Sequence, residues 1–138
     1  MSPRILYLFP PNYREINDKF NVRGKRVIFA YAPVIFNPSH MIVHHPLIQH
    51  EKVHIARQNG NPEVWWERYI ADQEFRLVEE IPAHIAEYEA LGAHAGILDH
   101  VAMKLSSPLY GNLVDLDTAK RLIRDGSQSN PRPALSNG

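Results

Sequence analysis

Apolar residues change their spacing twice along this chain. Near the start they come in runs, Ile5-Leu6-Tyr7-Leu8-Phe9 and Val27-Ile28-Phe29-Ala30-Tyr31-Ala32, bounded by Pro, Gly or Asn. Such runs predict strands over about 3–9 and 25–36, joined by a polar connection that carries Gly24, with Met41-Ile42-Val43 as a short third candidate. From Pro46 the spacing becomes helical: Leu47, Ile48, Glu51, His54, Ile55 and Gln58 recur at three- and four-residue intervals as far as Asn59-Gly60. Proline suits the first turn of a helix, and Asn-Gly stops one, so this segment has both a start and an end.

Asn61-Pro62 is a cap and first-turn pair for a second helix carrying Val64, Trp65, Trp66, Tyr69 and Ile70. A third helix is expected from Gln73 to Leu91, stopped by Gly92, with Pro82 bending it or splitting it in two. Ala93 to Leu105 predicts a further helix, 106–112 a loop, and Asp117 the cap of a last short helix through Ile123. Strands first and helices after predict an α+β fold, a single domain over 1–126, followed by a flexible polar tail over 127–138.

Composition narrows the chemistry more than the fold. At 138 residues one core suffices, and 15 basic residues balance 15 acidic ones with no segment collecting either sign. That leaves no electrostatic footprint for nucleic acid or for an anionic membrane. The chain has no cysteine, which removes disulfides, thiolate catalysis and Cys-based zinc sites and leaves His, Asp and Glu as the strong ligands. The apolar opening ends at Pro10-Pro11 without a small-residue cleavage site, and nothing approaches a membrane span, so a cytoplasmic location is expected.

Within the predicted second-regime helix stands His50-Glu51-Lys52-Val53-His54, the pattern HExxH. Residues four apart lie one above the other on a helix, so both imidazoles can reach one metal ion, while Glu51, about 100° around, reaches a water on that ion. Zinc sites that do chemistry usually have three protein ligands and keep the fourth place for water. Candidates for the third are Glu79, Glu80, His84 and Glu87 on the long helix. Glu80, His84 and Glu87 share a polar face opposite Val78, Ile81, Ile85 and Tyr88; Glu79 shares a stripe with Ala83, Ala86 and Ala90, small enough to admit another helix. Spacing does not choose between Glu79 and Glu80. The bland reading is that His50 and His54 are ordinary polar-face residues beside a solvated Glu51 and Lys52.

The order HExxH, Gln58, the aromatic segment Trp65-Trp66-Glu67-Arg68-Tyr69-Ile70, then Phe75-Arg76 and Glu80-Ile81-Pro82-Ala83, resembles small zincin-type metallopeptidases of the gluzincin kind, compact versions of which are often phage- or prophage-encoded. The resemblance covers about 26–123, with Ser107-Pro108-Leu109-Tyr110-Gly111 a looser likeness. It implies a minimal zincin-like fold, a small sheet packed on the HExxH helix and a Glu-bearing helix. In that family the glutamate of the ExxA pattern is the third zinc ligand, which falls on Glu80, so the implied Zn²⁺ site is His50, His54 and Glu80. Two positions depart from the pattern: Pro82 lies inside ExxA, and His84 stands where an aromatic residue is common.

The implied activity is hydrolysis of a peptide or protein amide, with Glu51 as general base and then acid. Tyr110, His84 and Tyr88 are the candidate donors to the oxyanion. Against this stands a non-catalytic structural protein, for instance a virion-associated phage particle component, that keeps the fold and metal and finds assembly partners through its C-terminal tail; a third possibility is a scaffold that zinc merely stabilises. Gln58 is expected either to hold a ligand or to be solvated, and Trp65, Trp66 and Tyr69 to be core. His44 and His45 read as linker residues, while His94 and His100 have no evident partner.

Overall fold

The strands are shorter than the apolar runs suggest, and Pro33 divides the second run. In the computed structural model, which describes residues 3–128, β1 is Arg4–Leu6, and the second run folds into a hairpin of β2 (Phe29–Tyr31) and β3 (Val34–Phe36). A cis Ala32–Pro33 bond lies between the hairpin strands. The sheet order is β1-β3-β2, with β1 parallel to β3 and β2 antiparallel to it, so that Ile35 faces both Ile5 and Ala30 in register. Ile35 is completely buried, whereas Tyr7, Leu8 and Phe9, expected in the first strand, leave the sheet and are exposed. Tyr7 stacks on His40 instead.

Two further expectations for this half are corrected. The polar connection holds a helix, α1 (Tyr13–Phe20), whose Ile16 is buried. The 41–43 segment makes no strand: the Asn37 amide pairs with both the N–H and the C=O of Met41, and that local pairing competes with a ladder. Ile42 is consequently left exposed.

The helices follow the sequence reading more closely. They are α2 (His45–Arg57), α3 (Pro62–Ala71), α4 (Gln73–Ala90), α5 (Ala95–Leu105) and α6 (Leu116–Gln128), with a single 3₁₀ turn over Pro108–Tyr110. Asn61 accepts from the Val64 N–H and Asp72 from the Phe75 N–H, capping α3 and α4. Pro82 does not split α4, one of the two outcomes expected of it: the helix runs continuously through that residue. The carbonyl that loses its donor belongs to Val78, a residue on the exposed side of the helix, where water can serve it. The last helix is capped by Asp115, not Asp117, through the Thr118 N–H. It also continues past Ile123, and Ser127, placed in the tail by the sequence reading, donates to Glu89. The rest of the expected tail, from 129, lies outside the described residues. No helix among the described residues is long and apolar enough to cross a membrane.

Apolar burial divides between two clusters. One joins α4, α5 and α6 through Tyr88, Leu98, Val101, Ala102, Leu105, Ala119 and Ile123. The other joins α1, β2 and α3 through Ile16, Val22, Phe29, Trp65, Trp66 and Tyr69. Between them α2 lies along α4 in the most extensive helix pair of the fold, with Ala83 fully buried on the α4 side. Gln58 pins α2 to the sheet: it donates to the Ala30 C=O at 2.8 Å and accepts from the Ala32 N–H at 2.7 Å. It is therefore neither solvated nor a partner of the histidines.

Arg76 locks the second cluster to the 3₁₀ turn. Its guanidinium donates to the carbonyls of Tyr69 (2.9 Å), Ile70 (3.0 Å) and Tyr110 (3.2 Å). Gly111, at φ +90°, passes so close that a Cβ there would sit 3.1 Å from Arg76 Nη1. Removing the guanidinium strands three carbonyls, so Arg76→Ala should lose about 3–5 kcal/mol of stability in urea unfolding. Arg76→Lys, with one donor group in place of a fork, should recover less than half of that.

Candidate metal centre

One turn of α2 separates His50 from His54, and their ring centroids lie 5.0 Å apart. Facing them from α4 is Glu80, whose Oε1 is 3.4 Å from His50 Nε2 and 3.2 Å from His54 Nε2. Each of the three residues is at most 4 % exposed. Bonds of about 2.1 Å at tetrahedral angles place ligand atoms about 3.4 Å from one another, close to the two separations between Glu80 Oε1 and the imidazole nitrogens. All three ligand atoms lie within 4.8 Å of each other, and this buried trio is a group that can hold a metal ion.

The choice that spacing left open is made by neighbours. Adjacent residues on a helix point about 100° apart, so only one of the two glutamates can face the histidines. Glu79 points elsewhere: it accepts from Arg57 Nε at 3.0 Å and Nη2 at 2.9 Å, and from Trp65 Nε1 at 2.8 Å. Glu80 Oε2 accepts the Tyr69 hydroxyl hydrogen bond and also lies 3.2 Å from His54 Nε2, while Oε1 lies between both histidines.

Neighbouring groups orient one of these imidazoles. His50 Nδ1 is 2.8 Å from Glu87 Oε1, and Lys104 Nζ donates to Glu87 Oε2. This Lys-carboxylate-imidazole chain directs His50 Nε2 toward Glu80, a common way of orienting a metal-binding histidine. His54 has no such support: its Nδ1 is buried without a hydrogen-bond partner among the described residues, and its ring lies against Trp65 at 5.4 Å. The roles of Glu87, Tyr69 and Lys104 were missed by sequence reasoning. Only Glu87 carried a signal, its i+7 spacing from Glu80.

Charge in this pocket is tightly coupled. Burial alone would lower the His50 imidazole, but hydrogen bonds to Glu80 and Glu87 and the nearby charge of Glu51 hold it up at about 10. Burial would raise Glu80 and Glu87, yet the histidines, and Lys104 for Glu87, draw Glu80 well below the carboxylate range and Glu87 down to about 2. Without metal, then, the His50 imidazolium supplies the positive charge that the carboxylates require. Glu51 differs: burial dominates and raises it, with the histidines opposing.

The candidate oxyanion donors are sorted by their surroundings. Tyr110 faces the site from the 3₁₀ turn; burial and then the charges of Glu80, Glu51 and Glu87 raise its hydroxyl well above 10, so it keeps its proton. His84 packs its ring against His50 at 4.6 Å and Tyr110 at 5.3 Å. Burial lowers it to about 3, so the ring is neutral. Its Nδ1 proton is committed to the Glu80 carbonyl at 2.7 Å, and Nε2 is left without a partner among the described residues. In that tautomer the ring has no proton free for an oxyanion, and its packing on His50 and Tyr110 braces the site. Tyr88 packs in the α4-α5-α6 core.

Beside the trio is a cavity of about 70 Å³ that Glu51, Trp65, Trp66, Tyr69 and Tyr110 help to line. The aromatic residues are buried core, as expected, and also form its wall. His44 and His45 are exposed at the start of α2. Compared with family models, curated proteins and solved structures, the chain matches none, and its chemistry is read from geometry.

Glu80→Ala should abolish stoichiometric zinc binding, whereas Glu79→Ala should keep the metal and lose only stability; metal analysis of both purified variants checks this. Zinc needs His50 Nε2 free of its proton, so binding should release about one proton per ion at pH 7, measurable by calorimetry in buffers of different ionisation enthalpy. The His50 value is raised, from 6.5 to about 10, so its contribution to the metal-free fold is full below 6.5 and fades as pH rises through about 10. Glu87 is depressed from 4.5 to about 2, so its contribution is full above 4.5 and fades toward 2. Thermal melts of the metal-free protein should fall on both limbs, and added zinc should flatten the alkaline one.

Proposed function

We propose that this protein is a zinc-dependent peptidase that hydrolyses an amide bond. The observation that carries the reading is the placement of Glu80 Oε1 within 3.4 Å of the Nε2 atoms of both HExxH histidines, with Glu51 buried beside them. Bound zinc would supply Lewis acidity and lower the pKa of a coordinated water toward about 7.

The residues divide the remaining work. His50, His54 and Glu80 hold the ion; Tyr69 fixes the Glu80 carboxylate, and Glu87 with Lys104 fixes His50. Glu51 has a carboxyl raised by burial, which makes it a better proton acceptor than a solvated glutamate. It takes the proton of the attacking water and passes it to the leaving amine. The Tyr110 hydroxyl, held near these carboxylates by Arg76 and the 3₁₀ turn, donates to the developing oxyanion.

One observation favours a second reading. The trio and Glu51 are each no more than 6 % exposed, which also suits a metal that braces α2 against α4 in a non-catalytic structural protein. Glu51→Gln separates the two. If Glu51 is the general base, the variant should retain stoichiometric zinc and lose about 10²- to 10⁴-fold in hydrolysis of a peptide library. A wild-type protein that loses thermal stability on chelation but cleaves nothing would establish the structural reading.

A further inference from the structure

Strand β2 is an edge strand: β3 covers one flank, and the other faces α2 and the site, where Ala30 lines the cavity. An open edge of this kind is where an extended peptide normally adds as a further strand. Here the chain has filled it. The Gln58 amide donates to the Ala30 C=O and accepts from the Ala32 N–H, the two bonds that a residue of an added parallel strand makes with residues i−1 and i+1 of its neighbour. Trp66 Nε1 adds a second hydrogen bond to the Ala30 C=O, at 2.9 Å. Gln58 and Trp66 are both buried, so an incoming strand would have to expel them.

Beside the His50, His54 and Glu80 side chains and Glu51 lies the small cavity. Its volume, about 70 Å³, is roughly half of the 150 Å³ or so that accommodates benzene in an engineered protein cavity. Away from the ligands its wall is apolar, formed by Phe20, Val22, Val27, Ile28, Phe29 and Leu109. Burying an uncharged aliphatic group there is favourable; burying a charged one is not.

We infer that the site takes a short amide end-on, with a compact apolar acyl group in this cup, and does not bind the interior of an extended polypeptide along β2. This rests on the metal-dependent hydrolysis proposed above and narrows its substrate class. Gln58 acts as a positioning residue that keeps the edge closed.

Hydroxamates, which chelate zinc through the group that replaces the scissile amide, test this by calorimetry on the full zinc-loaded chain. Isobutyrohydroxamate should bind about tenfold tighter than acetohydroxamate, from two further carbons buried in the cup. An N-acetylated tripeptide hydroxamate ending in valine should gain less than about tenfold over isobutyrohydroxamate; a gain above that overturns the inference while leaving the peptidase reading intact. Failure of a zinc-loaded chain to bind any hydroxamate overturns both. In Gln58→Ala, hydrogen exchange at the Ala32 amide should accelerate and the tripeptide hydroxamate should gain at least about threefold relative to the isobutyryl one. Faster exchange with no such gain overturns the role of Gln58.

Discussion

The seam between α2 and α4 buries His50, Glu51, His54, Gln58, Glu79, Glu80, His84 and Glu87 together, and this dense burial of polar groups is the constraint from which the architecture follows. Charges removed from water are tolerated only when paired, and every broken pair leaves its partner uncompensated. Each element beyond the seam can be understood by what it contributes to that pairing. Helix α3 supplies the Trp65 and Tyr69 donors, α5 supplies Lys104, and α2 itself supplies Arg57. The apolar clusters on either side bury enough surface to hold a polar centre that would not assemble on its own merits.

Four buried carboxylates illustrate how environment assigns role. Glu79, shared by Arg57 and Trp65, is structural. Glu80, held at one oxygen by Tyr69 and set against two imidazoles, belongs to the trio that can hold a metal ion. Glu87 spans His50 and Lys104 and orients a ring. Glu51, whose carboxyl is raised by burial, is suited to carry a proton. The chemistry of the side chain is the same in all four cases; only donors and distance differ.

The sheet is small because little is asked of it. Its three short strands are anchored by Ile35, its β2 residues Phe29 and Ala30 line one wall of the cavity, and its free edge is satisfied by the Gln58 and Trp66 side chains. Closing an edge with side chains removes the usual hazard of exposed ladder groups, and in this fold it also fixes the distance between sheet and HExxH helix.

The sequence by itself determined what is local or periodic. The HExxH helix with its Pro46 start and Asn59-Gly60 stop, the Asn61 cap and the placement of Glu80, His84 and Glu87 on one stripe are all legible from spacing and turn chemistry. Helix α1, which falls between the strands, was missed: Tyr13, Ile16 and Phe20 carry a helical spacing, but the polar residues between them masked it. Tertiary structure alone decided that the polar stripe of α4 is buried as well as most of the apolar one. The polar stripe is turned inward, since the groups that satisfy it come from α2, α3 and α5, while Tyr88, Ile81 and Ile85 pack on the opposite core and only Val78 of that stripe is left to solvent. It likewise decided Glu80 over Glu79, the committed proton of His84, and Gln58 as a seal on β2. Each of these depends on partners distant in sequence, and a spacing rule within one helix carries no information about what the next element brings to it.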